Sequence, residues 1–136
     1  MKYIALTIDQ EWCPEKVTRW MLDIIEEAGI CATIFATDEP RMDFTGHELA
    51  VHPNVFRNST QCSPQNELRR LKALFPDAIG VRMHRLLWES GMDIVAEQLG
   101  FRYASNILSP NHLSPPFRLA SSLIHFPIFY MDHHEM

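Results

Sequence analysis

The chain has 136 residues, which suits one domain with a sizeable core, and 46% of them are hydrophobic against 21% charged. Those proportions are typical of a globular protein and exclude an extensively disordered chain. Twelve basic and seventeen acidic residues give a net charge of −5. Because phosphate backbones are bound mainly through lysine and arginine, this balance excludes nucleic acid as the expected partner. We therefore expect a single domain over residues 1–136.

The cysteines and the first residues of the chain indicate in which cellular compartment the protein is expected. Cys13, Cys31 and Cys62 are odd in number and contain no CxxC pair, which is typical of reduced thiols in a cytosolic protein. The apolar run before Asp9 spans only about six residues, whereas a signal peptide needs a longer run and a membrane span about twenty. We expect a cytoplasmic protein without a membrane span.

The first third of the chain predicts a strand, a helix and a second strand. Residues 3–8 and 31–36 are nearly continuous apolar runs, as in strands buried on both faces. Between them, Pro14 suits the first turn of a helix and Gly29 ends it. This order is the unit of a parallel sheet. The helix presents one apolar face that we expect to be core, formed by Val17, Trp20, Met21, Ile24, Ile25 and Ala28.

The alternation of strands and helices continues along the chain. It predicts, in order, a strand at 48–52, a helix at 63–75, a strand at 79–83, a helix at 88–99, a strand at 101–105 and a β-prone segment at 123–131. Such alternation predicts an α/β domain, either an open sheet or a barrel. Since a closed eight-unit barrel takes roughly 200–250 residues, a barrel would be incomplete here. An exposed edge at 123–131 would invite pairing with a second copy, and on that ground we expect a homodimer.

Polar residues of catalytic types follow three of the predicted strands. Ligands of α/β domains sit at the C-terminal ends of the strands, so we expect these side chains to converge. Alternation along an extended chain puts Asp9 and Glu11 on one side. It does the same for Arg82 and His84. Carboxylates and imidazoles that meet at one face suit a mononuclear zinc or similar hydrolytic site. Two alternatives stay open, namely that Glu11 caps the helix near Pro14 and that Arg82 is a surface arginine.

Five segments, in chain order, resemble motifs of the polysaccharide deacetylase (NodB-like, carbohydrate esterase) family. LTIDQEW is similar to the family's Thr-Phe-Asp-Asp motif, and CATIFAT to its Ala-Thr-Phe-Phe segment. GHELAVHPN resembles its Gly-His-Glu-Ile-x-x-His segment, with His47 and His52 at the same separation. GVRMHRLLWESG lies where the family's arginine motif falls, and FRYASN resembles a later strand ending in Ser or Asn. HPN followed by VRxH is most similar to a branch tied to O-antigen and surface-polysaccharide biosynthesis.

The resemblance implies an irregular (β/α) barrel, incomplete in so short a chain, and a hydrolase of amide bonds. The implied reaction is metal-dependent deacetylation of an N-acetylated sugar or polysaccharide intermediate, with zinc as the first choice of divalent metal. Asp9 would be the general base, and Arg82 would keep it ionised. The expected catalytic residues are Asp9 and Arg82, which the resemblance implies, and His84, which we nominate because it follows the next strand and lies two residues from Arg82.

The metal ligands implied by the resemblance depart from the family at one position. Glu11 and His52 match a metal-binding carboxylate and histidine, but the family's second histidine comes four residues after the first, where this chain has Phe56. The third ligand must therefore come from elsewhere or be absent. We nominate His84, with Asn54 as a weaker candidate because a carboxamide oxygen is a poor zinc ligand. The expected metal-site residues are Asp9, Glu11, His52 and His84.

The remaining candidates have two interpretations each. Trp12, Asn54 and Trp88 are predicted substrate contacts, although burial against helices is the alternative for both tryptophans. His125 is either a core histidine bonded to backbone or the family's general acid. We expect His47 to pack or cap a turn and His112 to be exposed. Near the chain end, a metal-type cluster or a solvated tail is formed by Asp132, His133 and His134.

Three functions fit these residues. The first is the deacetylase. The second is a non-catalytic carbohydrate-binding or scaffold protein that kept the fold without the metal, which Phe56 favours. The third is a hydrolase that uses the same site on another amide, such as a cyclic ureide. Metal content and substrate tests separate them.

Overall fold

The computed structural model describes residues 4–39, 42–56 and 62–131, and the elements given below all lie in these ranges. Seven strands form one sheet, with three α-helices and a 3₁₀ turn at His84–Leu86 between them. The elements are β1 (Leu6–Gln10), α1 (Glu15–Glu27), β2 (Ala32–Ala36), β3 (Glu48–Val51), α2 (Pro64–Leu74), β4 (Gly80–Val81), α3 (Met92–Gln98), β5 (Tyr103–Ala104), β6 (Phe117–Arg118) and β7 (Ile124–His125).

The sheet is almost entirely parallel and has the order β1-β2-β3-β4-β5-β7-β6. Only β6 runs antiparallel, against β7. In the described part of the chain the edge strands β1 and β6 do not pair with each other, so the sheet is not closed. This arrangement confirms the predicted α/β fold and its incomplete barrel.

Several elements are shorter than predicted. The segments 79–83 and 101–105 pair as regular strands only at Gly80–Val81 and Tyr103–Ala104. The third helix begins at Met92 rather than Trp88, because the 3₁₀ turn precedes it and Gly91, with φ of 84°, turns the chain into it. β6 was not predicted, since two residues are too few to show a hydrophobic period.

The last apolar segment is not a free edge, contrary to prediction. β7 pairs with β5 on one side and with β6 on the other, so its backbone groups are used on both sides. The ground on which we expected a homodimer is therefore wrong. The homodimer itself stays a prediction without that support.

The apolar face of α1 is only partly buried. Its inner side packs through Leu22 against Ile34 of β2. Val17, Trp20 and Ile24 were predicted as core but are exposed, with 64% of Trp20 accessible to solvent. Because β1 is the edge of the sheet, no described element covers the outer side of α1. The prediction that Trp20 is a core residue is wrong.

The central strands carry the helices on one face and polar side chains on the other. Val51, Val81 and Ala104 are neighbours in the parallel register, and all three belong to the core under α2 and α3. Since side chains alternate along a strand, the residue after each of them points to the opposite face. Those residues are His52, Arg82 and Ser105.

Two smaller predictions can be compared with the structure directly. Cys13, Cys31 and Cys62 are free thiols, as predicted. None of the helices in the described ranges has the length and hydropathy needed to cross a bilayer.

Gly80 of β4 is a position that leaves no room for a side chain. A Cβ built on Gly80 would lie 2.1 Å from Cζ of Tyr103, whose hydroxyl donates to Glu48 at 2.9 Å. We expect Gly80→Ala to displace the Tyr103 ring, break that hydrogen bond and lower the free energy of unfolding by about 1–3 kcal/mol. Denaturant or thermal unfolding measures the loss. In a Tyr103→Ala background the substitution should cost much less, and an equal cost in both backgrounds would refute the steric explanation.

Candidate metal centre and active site

Side chains from three strands converge where those strands end. β1 contains Asp9 and leads into Glu11, His52 follows β3, and Arg82 and His84 follow β4. The backbone N–H groups of His52 and Arg82 still bond to neighbouring strands, at 2.8 and 3.0 Å. The sheet therefore anchors both residues at its C-terminal edge, as predicted for a parallel arrangement.

Glu11, His52 and His84 each place one metal-ligating atom within 4.8 Å of the others. Oε2 of Glu11 lies 2.7 Å from Nδ1 of His84 and 3.7 Å from Nε2 of His52. Ligands at about 2.0–2.1 Å from a tetrahedral zinc ion are about 3.3 Å apart, so small side-chain shifts would admit an ion. One carboxylate with two imidazoles is a donor set of catalytic zinc sites. These three residues, which we call the Glu-His-His trio, fit a divalent metal.

His52 has a buried ring nitrogen without a partner. Only 3% of the residue is exposed, and Nδ1 makes no hydrogen bond within the described ranges. The nearest carboxylate oxygen is Oδ1 of Asp9, at 3.8 Å. Nε2 of the same ring faces Glu11 in the trio, so Nδ1 is the nitrogen that faces Asp9. A buried polar atom left unpaired costs about 1–3 kcal/mol, and the second ring nitrogen of a metal-ligating histidine ordinarily donates to a carboxylate, the role that Asp9 would fill here.

Asn54 orients Glu11. Its Nδ2 donates to Oε1 of Glu11, and its Oδ1 accepts from the backbone N–H of Phe56 at 2.8 Å. Burial raises the pKa of Glu11, but interactions with His52 and Asn54 and the charges of His52 and His84 outweigh burial, so this pKa lies below its ordinary value of 4.5. Glu11 is thus an ionised carboxylate rather than a helix cap. Both polar atoms of Asn54 bond to the protein, and its role as a substrate contact stays a prediction.

Asp9 lies beside the trio and pairs with Arg82. Nη1 of Arg82 is 3.0 Å from Oδ1 of Asp9 and 2.9 Å from the hydroxyl of Thr7. Its other donors bond to the carbonyl and hydroxyl of Ser105 at 3.1 and 2.9 Å. The guanidinium also covers the ring of Phe35 at 4.4 Å. Arg82 is 4% exposed, so the alternative of a surface arginine is wrong. Asp9 lies outside the trio, with 30% of its side chain exposed.

Two aromatic side chains flank His84 on its solvent side. The rings of Trp12 and Phe56 lie edge-on to His84, with centroids 5.9 and 6.2 Å away. Trp12 is 73% exposed and Phe56 47%, so the burial alternative for Trp12 is wrong. Its role in stacking on a sugar stays a prediction. We did not predict Phe56 as a site residue, although its place at the family's second histidine was a signal.

Trp88 and His125 lie on the helix-facing side of the sheet. His125 is in register with the core residue Ala104, and its Nε2 is 3.2 Å from Asp93 of α3. Trp88 packs against the same core and donates to Asp93 at 2.7 Å. Neither residue contacts the trio in the described structure, which corrects the predicted substrate contact of Trp88. His125 is a core histidine, but its partner is a carboxylate rather than backbone.

His47 and His112 are not part of the trio. The side chain of His47 is buried, with Nδ1 accepting from the N–H of Ala32 at 3.1 Å and Nε2 3.2 Å from Glu26. His112 is exposed, as predicted. The predicted cluster near the chain end lies outside the described residues and comprises Asp132, His133 and His134.

Known proteins resemble this chain in sequence and in fold. The family model of WbmS-like polysaccharide deacetylases matches residues 6–136. A Bordetella bronchiseptica protein described as a polysaccharide deacetylase involved in O-antigen biosynthesis has 30% identity and a TM-score of 0.78, over 90% of this chain and 55% of its own. A polysaccharide deacetylase from Mycobacterium smegmatis, at 19% identity and a TM-score of 0.63, covers 91% of this chain and 57% of its own and shows the fold alone. The chain thus spans little more than half the length of either protein. No curated protein matches it.

Proposed function

The chain belongs to the WbmS-like polysaccharide deacetylase family, and on that premise we propose that it is a metal-dependent hydrolase that removes acetyl groups from N-acetylated sugars. The observation that carries the proposal is the Glu-His-His trio beside the pair of Asp9 and Arg82. We place the reaction in O-antigen or surface-polysaccharide biosynthesis, on the similarity to the Bordetella bronchiseptica protein. We also propose a cytoplasmic location.

The trio would hold the metal. When bound there, a divalent ion such as zinc supplies Lewis-acid chemistry, polarising the acetyl carbonyl and acidifying water. Glu11 and the two histidines would bind it, while Asn54 fixes the orientation of Glu11. This division leaves the carboxylate of Asp9 outside the ligand set for work on the substrate.

We assign Asp9 the role of general base. Its carboxylate is partly open to solvent and lies 3.8 Å from His52, next to the metal-binding atoms. Arg82 fixes its orientation through a buried guanidinium that Thr7 and Ser105 hold in turn. A positioned carboxylate that removes a proton from attacking water contributes about 10²–10⁴-fold to the rate. Hydrolysis of the amide then releases acetate and leaves a free amine on the sugar.

The second candidate function is carbohydrate binding without catalysis. It is favoured by Phe56, which occupies the place of the family's second metal-binding histidine, and by the exposed ring of Trp12. This function needs no metal, so the requirement for metal distinguishes it from the deacetylase.

Release of acetate from N-acetylhexosamine derivatives tests the proposal. We expect the zinc-loaded protein to release acetate, a chelator to abolish the release, and added zinc to restore it, because the substrate carbonyl is activated only by the bound ion. A cyclic ureide serves as the comparison substrate for the third function. Zinc-loaded protein that hydrolyses neither class, yet binds the sugar, would reject the deacetylase in favour of the binding protein.

A further inference from the structure

The backbone around the trio is strained. Three non-glycine residues in the described ranges have positive φ, namely Trp12 at 51°, Arg85 at 57° and Leu86 at 55°. Trp12 directly follows Glu11, and the other two directly follow His84. A left-handed conformation costs a non-glycine residue about 1–2 kcal/mol, and such residues cluster at functional sites. These two turns set the directions of the Trp12 and Arg85 side chains, which helical or extended backbone would point elsewhere.

Arg85 is the charged side chain that the second strained turn presents. Its guanidinium carbon lies 5.1 Å from the centre of the Phe56 ring, and that ring is 6.2 Å from the ring of His84. The Arg85 guanidinium and His84, a proposed metal ligand, therefore both lie beside the Phe56 ring. Arg85 is exposed, and within the described ranges no carboxylate lies at ion-pair distance from it.

Among the described residues, a second arginine near the trio is already bonded to the protein. Arg82 is buried and bonds to Asp9, Thr7 and Ser105, which uses four of its five N–H donors. The side chain of Arg85 makes no hydrogen bond to another residue in the described ranges, so its donors are open to a ligand while its guanidinium lies beside the Phe56 ring. A planar guanidinium binds carboxylate and phosphate through paired hydrogen bonds, which a point charge cannot imitate.

We propose that Arg85, Phe56 and Trp12 form an anion-selective rim, through which the site takes N-acetylated sugars that also carry a negatively charged group. The two exposed rings offer apolar surface to the sugar, and Arg85 binds the anion at one end of it. The anion is a carboxylate on the sugar or a phosphate attached to it. The inference rests on the proposed function in one respect, that the acetyl group is held at the trio.

Calorimetric titration of the zinc-loaded protein tests the rim. The three probes are N-acetylglucosamine, its uronic acid and its uridine diphosphate derivative. We expect at least one charged probe to bind about tenfold more tightly than the neutral sugar, with an advantage that shrinks as salt is added. A preference for the uronic acid assigns a carboxylate, and a preference for the nucleotide sugar assigns a phosphate.

Variants identify the residue responsible. Arg85→Gln should remove the preference without changing the affinity for the neutral sugar, and Arg85→Lys should keep part of it. The matched control is Arg102→Gln, an exposed arginine at the start of β5, at the opposite end of the sheet. Equal affinity for all three sugars, no binding of either charged probe, or an unchanged preference in Arg85→Gln would overturn the rim.

Acetate release from the same three sugars separates this inference from the proposed function. Hydrolysis of all three at equal kcat/KM, unchanged in Arg85→Gln, would overturn the rim and keep the deacetylase. Charge-dependent binding that Arg85→Gln removes, without hydrolysis of any probe, would keep the rim and reject the deacetylase.

Discussion

Replacing His84 with alanine is expected to lower the affinity for zinc by at least about a hundredfold. Removal of residues that merely support metal ligands costs 10–100-fold in affinity, and His84 contributes a ligating atom itself. Its Nδ1 lies 2.7 Å from Glu11, and no other histidine in the described ranges joins Glu11 and His52. Competition with a chromophoric chelator measures the affinity.

Two further variants make the His84 test specific. His112→Ala removes an exposed histidine from a loop and should leave zinc affinity unchanged. Phe56→His, introduced together with His84→Ala, puts an imidazole at the position of the family's second histidine, where the ring is 6.2 Å from that of His84. We expect it to restore part of the affinity. Full zinc affinity in the His84→Ala variant would remove His84 from the site.

Asp9→Asn is expected to lower kcat by about 10²–10⁴-fold and to leave zinc affinity nearly unchanged. Asp9 lies outside the trio and pairs with Arg82, so its loss removes the proposed base but no ligand. Steady-state acetate release and a zinc titration on the same preparation give the two values.

The matched control for Asp9 is the carboxylate two residues later. Glu11→Gln replaces an ionised ligand with a neutral amide, and we expect it to lose zinc and activity together. If Asp9→Asn lost zinc as severely as Glu11→Gln, Asp9 would be a ligand and the proposed division between base and metal site would be wrong.

The convergence of the site followed from simple rules. The C-terminal ends of parallel strands lie along one edge, and alternation puts residues two apart on the same side. Asp9 and Glu11 on one segment therefore meet Arg82 and His84 on another. The same argument applies to Thr7, which lies two residues before Asp9 and accepts a hydrogen bond from Arg82.

The wrong predictions concern residues whose burial or orientation depends on neighbouring elements of the fold. Trp20 lies on the apolar face of α1, yet it is exposed because β1 is the sheet edge and no described element lies beyond it. Trp88 occurs next to the arginine motif in the sequence, but its hydrogen bond to Asp93 holds it on the helix-facing side. The position of Arg85 depends on a left-handed turn without glycine, which composition does not signal.

Anomalous diffraction at the zinc absorption edge, from crystals of the full chain grown with zinc, tests the central claim most directly. We predict one strong peak bounded by Glu11, His52 and His84, with each ligand atom about 2.0–2.2 Å from it. The chain offers internal controls in two other histidine–carboxylate pairs, that of His47 with Glu26 and that of His125 with Asp93. A peak at either pair with none at the trio, or no peak at all, would contradict the proposed metal centre.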